Sequence, residues 1–356
     1  MYPRVRVNLS HLRENVKTVT ELCRQNGISV TAVTKVFAGD PVIAQCYIDA
    51  GVKMIGDSRT ANLAKMQNIK AEKWLIRPPM LCEVAELVKY GDVSLNSEIE
   101  VIRAISAEAI KQGKIHKVIL MADLGDIREG YVDYQQLIAA AKETEALSGV
   151  SLYGIGTNLT CFSFVQSSAE KMQLLASLRQ QVSDAVGRPL DIVSGGNSAT
   201  IDLMLRGKIP SGVDNLRLGE SLLFGRERAK YQYLENTFKD VFTLECQIVE
   251  LKEKPSLPWG EIGVDSYGNK PIFTDRGEKR VKAVCALGKQ DFDAETTTAL
   301  DNGVVILGAS SDHLMLDVTD SERSYRVGDI IELQLGYFST MRAFTSGYVE
   351  KSYQDI

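Results

Sequence analysis

The sequence predicts a (β/α)8 TIM-like barrel followed by an all-β domain, and three observations carry that prediction. Up to about residue 225, short β-like runs alternate with helical patterns across short loops. No Gly-x-Gly-x-x-Gly turn follows the first run, which disfavours an open doubly wound sheet. After about residue 240 strands continue with little helix between them, separated by Gly, Asp and Pro. The expected domains are therefore a barrel over 1–228 and a β-rich domain over 240–356, joined by "RERAKYQYLENTFKD".

In chain order the β-like runs of the first part are "RVRVNL", "ISVTAVT", "VKMIGD", "WLIRP", "DVSLN", "KVILMADL", "SLYGIGTNL", "LDIVSGG" and "LRLGESLLFG". Between them lie helical segments such as "LRENVKTVTELCRQNG", "EIEVIRAISAEAIKQGK" and "SAEKMQLLASLRQQVSDAVG". The second of these opens after Asn96-Ser97, carries apolar residues at helical spacing and closes on Gly113. Strict β–α alternation implies a parallel sheet buried on both faces, and this length suits a barrel of about 250 residues. The strands of the second part are "TLECQIVELKEK", "KRVKAVCALG", "GVVILGASSDHLMLDVT", "GDIIELQL" and "SGYVEK".

The chain of 356 residues is long enough for two cores. A net charge of −5 offers no basic surface for nucleic acid. No apolar run reaches the roughly 18 residues of a membrane span, and "MYPRVRVNLSHL" lacks the apolar centre of a signal peptide. Six cysteines without a C-x-x-C pair read as reduced thiols, so the expected location is the cytoplasm. His11, His116 and His313 lie far apart in sequence, and no metal site is expected.

One position asks for chemistry. The apolar run "ISVTAVTKVFAGDP" ends in Lys35 before the chain breaks at Gly39-Asp40-Pro41. Barrel strands direct their C-terminal ends to the active site, so Lys35 should reach the mouth. It either snorkels into water or pairs with a carboxylate, or it serves as a Schiff-base nucleophile toward an aldehyde. "SGGNSAT" (Ser194 to Thr200) follows a strand and opens a helix; Asn197 and Ser198 are there as anion ligands or as plain caps. In "NLRLGES", Arg217 lies inside an apolar strand, where a charge needs a partner, and Gly219 and Glu220 supply a second turn. Two small-residue turns after the last two strands are like the usual phosphate site of barrels. A lysine for an aldehyde, a phosphate cup and a buried arginine together describe pyridoxal 5'-phosphate.

These motifs resemble the alanine racemase family of pyridoxal-phosphate enzymes, and the resemblance covers nearly the whole chain. It implies that Lys35 of "AVTKVFAG" carries the cofactor, that "GGNSAT" puts Asn197 and Ser198 at the phosphate, and that Arg217 faces the pyridine nitrogen. It places the amides of Gly219 and Glu220 at the phosphate too. Arg128 of "ADLGDIREG" would bind the substrate carboxylate, and Asn158 of "GTNLTC" stands where the family usually has a histidine. Tyr267 of "VDSYGNKP" would be the second catalytic base, and Asp312 of "GASSDHLMLDVTD" would lie near the substrate. "TNLTC", "SGGNSAT", "LRLGES", "ELKEKPS" and "ASSDHLMLDVTD" together resemble the ornithine racemase branch more closely than alanine racemase itself.

There are departures. Met121 stands near where alanine racemases often carry a carbamylated lysine, so Arg128 needs another acid, Asp126 or Glu129. Gly39 stands where those enzymes place a phosphate-binding tyrosine. The activity implied is racemisation of a free amino acid, ornithine first and lysine next, with one base on each face of a flat intermediate. In the family the tyrosine comes from the second subunit, so a homodimer with shared active sites follows. A basic substrate wants an acid at the far end of its pocket; Asp312, Asp265, Asp123 and Glu220 are the candidates.

Alternatives are an alanine or broad-specificity racemase, a barrel decarboxylase, a metal-dependent aldolase or dehydratase, and a non-enzymatic cofactor carrier. "SGGNS" is too short for the decarboxylase glycine triplet, and no Cys-Glu/Asp-Ser pattern occurs. Leu314-Met315 after His313 excludes the His-x-Cys zinc pair. The second domain argues against the carrier.

Overall fold

The computed structural model describes residues 1–264 and 268–355, and they divide into two compact units, 9–241 and 1–8 with the described residues from 242 to 355. The first strand, β1 (Arg4–Asn8), was grouped by sequence with the barrel over 1–228, yet it belongs to the second unit. The Arg-Val-Arg-Val alternation carries the reason. Val5 and Val7 are buried while Arg4 and Arg6 are half-exposed, which is the signature of a one-sided sheet. Barrel strands are buried on both faces.

Eight parallel strands close the barrel: β2 (Ser29–Val33), β3 (Met54–Asp57), β4 (Glu72–Leu75), β5 (Val93–Asn96), β6 (His116–Met121), β7 (Val150–Gly156), β8 (Ile192–Ser194) and β9 (Asn215–Leu218). β9 pairs with β2 and completes the ring. Trp74, Val93, Leu95, Ile119, Met121 and Ile192 form one buried cluster. Trp74 is on β4 and Ile192 on β8, and such distant strands meet only through the interior, so this cluster fills the barrel. Gly154 lets β7 close against β8, since a Cβ there would lie 2.0 Å from the Ile192 carbonyl oxygen. The helices show the expected signals. The one over Ala169–Val186 is capped by Ser168, whose side chain accepts from the Lys171 amide, and ends on Gly187 at φ 78°. Met172, Leu175, Leu178 and Val182 recur along its buried face.

The second unit holds β10 (Phe242–Lys254), β11 (Arg280–Cys285), β12 (Thr297–Ala299), β13 (Val305–Ala309), β14 (Leu314–Asp317), β15 (Ile330–Leu335) and β16 (Glu350–Gln354). The sheet runs β12-β15-β10-β11-β14-β13, with β1 antiparallel to β10 and parallel to β16. Arg4 and Arg6 pair with the buried Glu245, and Arg6 also with Glu332, so the outer row of β1 is tied to the sheet by charge. The helix Tyr337–Thr345 lies between β15 and β16.

Candidate active site

Lys35 follows β2 directly, at the C-terminal end of the barrel, and opens a single turn over Lys35–Phe37. Ala38 (φ 51°) and Gly39 (φ 65°) close it. A Cβ on Gly39 would sit 2.7 Å from Asn62 Cβ, so a side chain at the position where the resemblance suggests a tyrosine would clash. Behind the lysine, Thr34 donates through Oγ1 to Asp57 Oδ2 at 2.6 Å. Asp57 also accepts from Asn62 Nδ2 and the Arg59 amide, and burial raises its pKa. Lys35 itself is half-buried and has no hydrogen bond or ion pair among the described residues. Lys65, Lys73 and Lys171, by contrast, each donate to a backbone carbonyl.

Next to β2 in the ring, β9 carries the buried Arg217. Its Nη1 donates to Ser194 Oγ at 2.7 Å; Nη2 donates to the Thr157 carbonyl at 2.8 Å and to Asn158 Oδ1 at 3.5 Å. The chain continues inward: Ser194 Oγ donates to Asn215 Oδ1, and Asn215 Nδ2 donates to Thr31 Oγ1. One side of the interior is thus polar and satisfied, opposite the apolar cluster. Burial lowers the Arg217 pKa to about 10, with the Glu129 carboxylate acting against that shift and Arg128 with it. The guanidinium therefore stays charged at neutral pH.

The two turns after β8 and β9 meet. Ser198 and Ser221 share a hydroxyl–hydroxyl hydrogen bond of 3.1 Å, and the Ser221 amide donates to Ser198 Oγ at 3.2 Å. Asn197 caps its own turn by accepting from the Ala199 amide, and donates to Asn158 Oδ1 and the Leu159 carbonyl. A Cβ on Gly219 would press on Val33 Cβ at 3.2 Å. Amides that open a helix lack intrahelical acceptors, and here Ser198 opens Ser198–Thr200 and Glu220 opens Glu220–Phe224. The Glu220 side chain faces two cations, Arg226 at 2.7 Å and Arg228 at 3.4 Å.

Arg128 is on the loop after β6, with Nη2 2.6 Å from Glu129 Oε1 and Nε also donating to Glu129. Burial alone would lower its pKa, but that carboxylate outweighs it and the net shift is upward. Of the two acids expected to hold Arg128, Glu129 makes the contact; Asp126 acts on it only through space. The expected barrel residues thus occupy one continuous arc, β6-β7-β8-β9-β2. Asp312 is exposed in the turn between β13 and β14, beside Ser310 and His313. Tyr267 and Asp265 lie outside the described residues. Sequence reasoning missed Ser194, Ser221 and Asp57. Each is a small polar residue at a strand end or turn, a signal too common to single out.

A closed parallel barrel that brings a lysine without a partner among the described residues, two meeting helix-opening turns and a buried guanidinium to adjoining strand ends has the arrangement of a barrel enzyme with its site at the C-terminal face. The comparisons give that class its family. Residues 7–227 match the family model of the alanine racemase N-terminal domain, and the chain belongs to the alanine racemase family. It is 44% identical to ornithine racemase of Acetoanaerobium sticklandii over 99% of both chains, and 36% identical to lysine racemase of Thermotoga maritima, again over 99% of both. The structure of Bartonella henselae alanine racemase with covalently bound pyridoxal phosphate has the same fold. Its TM-score is 0.71 at 17% identity, covering 99% of each chain. The protein is accordingly an amino-acid racemase.

Proposed function

We propose that the protein is a pyridoxal-phosphate-dependent ornithine racemase, with lysine as second substrate. The observation that carries the reading is the uninterrupted arc of Lys35, Arg217, Asn158, Asn197, Ser198, Gly219 and Glu220 on strand ends that are neighbours in the ring. The residues suit the cofactor. Lys35 would hold its aldehyde carbon, and the Ser198 hydroxyl with the amides of Ser198, Gly219 and Glu220 would take its phosphate. Arg217 would face its ring nitrogen and, being charged, keep that nitrogen unprotonated. The cofactor supplies an electron sink for the carbanion left when the α-proton is removed. Lys35 then exchanges the proton on one face and Tyr267 on the other, while Arg128, steadied by Glu129, holds the substrate carboxylate.

A homodimer with shared sites goes with this reading. Ile127, Val132, Phe162 and Phe164 stand 72%, 73%, 64% and 64% exposed on the loops after β6 and β7. Large apolar side chains so placed mark a surface to be covered. The free cysteines among the described residues accord with a reducing, cytoplasmic location. No helix among the described residues is long and apolar enough to cross a membrane. The deciding experiment is chiral chromatography on L- and D-ornithine, lysine and alanine, with sedimentation of the loaded protein. Ornithine turning over fastest in a dimer supports the reading, and alanine outrunning both basic amino acids overturns the substrate.

A further inference from the structure

Buried side-chain atoms without a hydrogen-bond partner, among the described residues, are Tyr47 Oη, Asn96 Oδ1, Asp126 Oδ1 and Thr144 Oγ1. Tyr47 and Thr144 belong to outer helices. Asn96 alternates with Val93 and Leu95 of the interior cluster and so turns away from the barrel centre. Asp126 differs: it carries a carboxylate and stands on the loop after β6, at the mouth. It is 1% exposed. Its Oδ2 accepts the amides of Cys161 at 3.1 Å and Phe162 at 3.0 Å, and its carbonyl accepts from Ser163 Oγ at 2.8 Å. This staples the loop after β7 onto the loop after β6 and leaves Oδ1 unused. A buried carboxylate oxygen without a donor is costly, and its natural complement is a donor-only group such as an ammonium.

The neighbouring acids are occupied. Asp123 accepts the amides of Gly125, Ile127 and Arg128. Glu129 is held by Arg128, Glu220 by Arg226 and Arg228, and Asp57 by Thr34 and Asn62. Only Asp126 among them keeps an oxygen without a partner. We propose that Asp126 Oδ1 receives the side-chain ammonium of a basic amino acid, while Arg128 takes its α-carboxylate. This rests on the basic-substrate reading above. One loop then reads both charged ends of the substrate from positions two residues apart in sequence.

The test is Asp126→Asn in the holoenzyme. The remaining oxygen can still accept the Cys161 and Phe162 amides, so the staple persists, but an amide donor now meets the ammonium. L-Norvaline, which is ornithine without its terminal ammonium, serves as the control. For ornithine kcat/KM should fall about 30- to 1,000-fold, as for a buried charge pair cut on one side. Norvaline should stay within about threefold. Binding of α-methylornithine, which has no α-proton, should weaken by the same factor as ornithine. Equal losses for ornithine and norvaline, or none for ornithine, overturn the role of Asp126. If the unmutated enzyme shows no preference for ornithine over norvaline, the substrate reading itself fails and the role falls with it. Asp126→Glu provides a second, independent decision. It advances the charge by one methylene and should move preference to the shorter 2,4-diaminobutyrate; an unmoved preference counts against the assignment.

Discussion

Replacing Arg217 by Gln tests the interior of the site and its chemistry together. The guanidinium donates to Ser194 Oγ, the Thr157 carbonyl and Asn158 Oδ1. A glutamine amide can reach the Thr157 carbonyl; Ser194 still donates to Asn215, and Asn158 still accepts from Asn197. The net loss is therefore close to one charge-assisted hydrogen bond, about 1.5–3 kcal/mol. At roughly 2–4 °C per kcal/mol for a unit of this size, the apparent Tm should drop by about 3–12 °C. Scanning calorimetry of the cofactor-free protein reads this. Removing the fixed charge also frees the cofactor's ring nitrogen to take a proton. The share of turnover ending in a 2-oxo acid should rise, and rise further in Arg217→Glu. It is read as oxo acid released per racemisation event by chiral chromatography with carbonyl trapping. A folded, cofactor-loaded variant with an unchanged share of oxo acid would refute the assignment of Arg217 to the ring nitrogen.

Other outcomes follow from the same residues. Lys35→Ala should lose the visible absorbance of lysine-bound cofactor together with racemisation; a borohydride-fixed cofactor and full activity in the variant would exclude Lys35. Tyr267→Phe should slow inversion by about 10²–10⁴ while α-proton exchange in heavy water persists from one enantiomer only; equal loss of exchange from both enantiomers would point to a different second base. His116, buried at the start of β6 against Ser94, has its pKa pushed from 6.5 down to about 4 by burial. The unfolded chain therefore binds the proton first as pH falls below 6.5, and stability present above that value is lost toward pH 4. By pH 5 the loss is about 2 kcal/mol. His116→Asn should flatten the dependence of Tm on pH between 7 and 5, and an unchanged slope would show that other groups set it.

Some of this molecule is written in local pattern. The eight β–α units show because a parallel strand buried on both faces and an amphipathic helix each carry their own period. Lys35, Ser198 and Arg217 show because a charged or small residue at the end of an apolar run breaks the expectation of burial. What the sequence could not supply is what lies beside what. "RVRVNL" precedes the first helix and reads as a barrel strand, yet β1 pairs with β10 and β16, whose residues lie over two hundred positions along the chain. The hydroxyl contact of Ser198 with Ser221 and the polar chain from Arg217 through Ser194 to Asn215 join β8 and β9 with the turns that follow them, while Glu129 rather than Asp126 as the partner of Arg128 depends on how a single loop folds. The unpartnered oxygen of Asp126 is of the same kind. A sequence lists a carboxylate, but only the packed loops after β6 and β7 determine which of its two oxygens is satisfied, because that depends on where the amides of Cys161 and Phe162 come to rest.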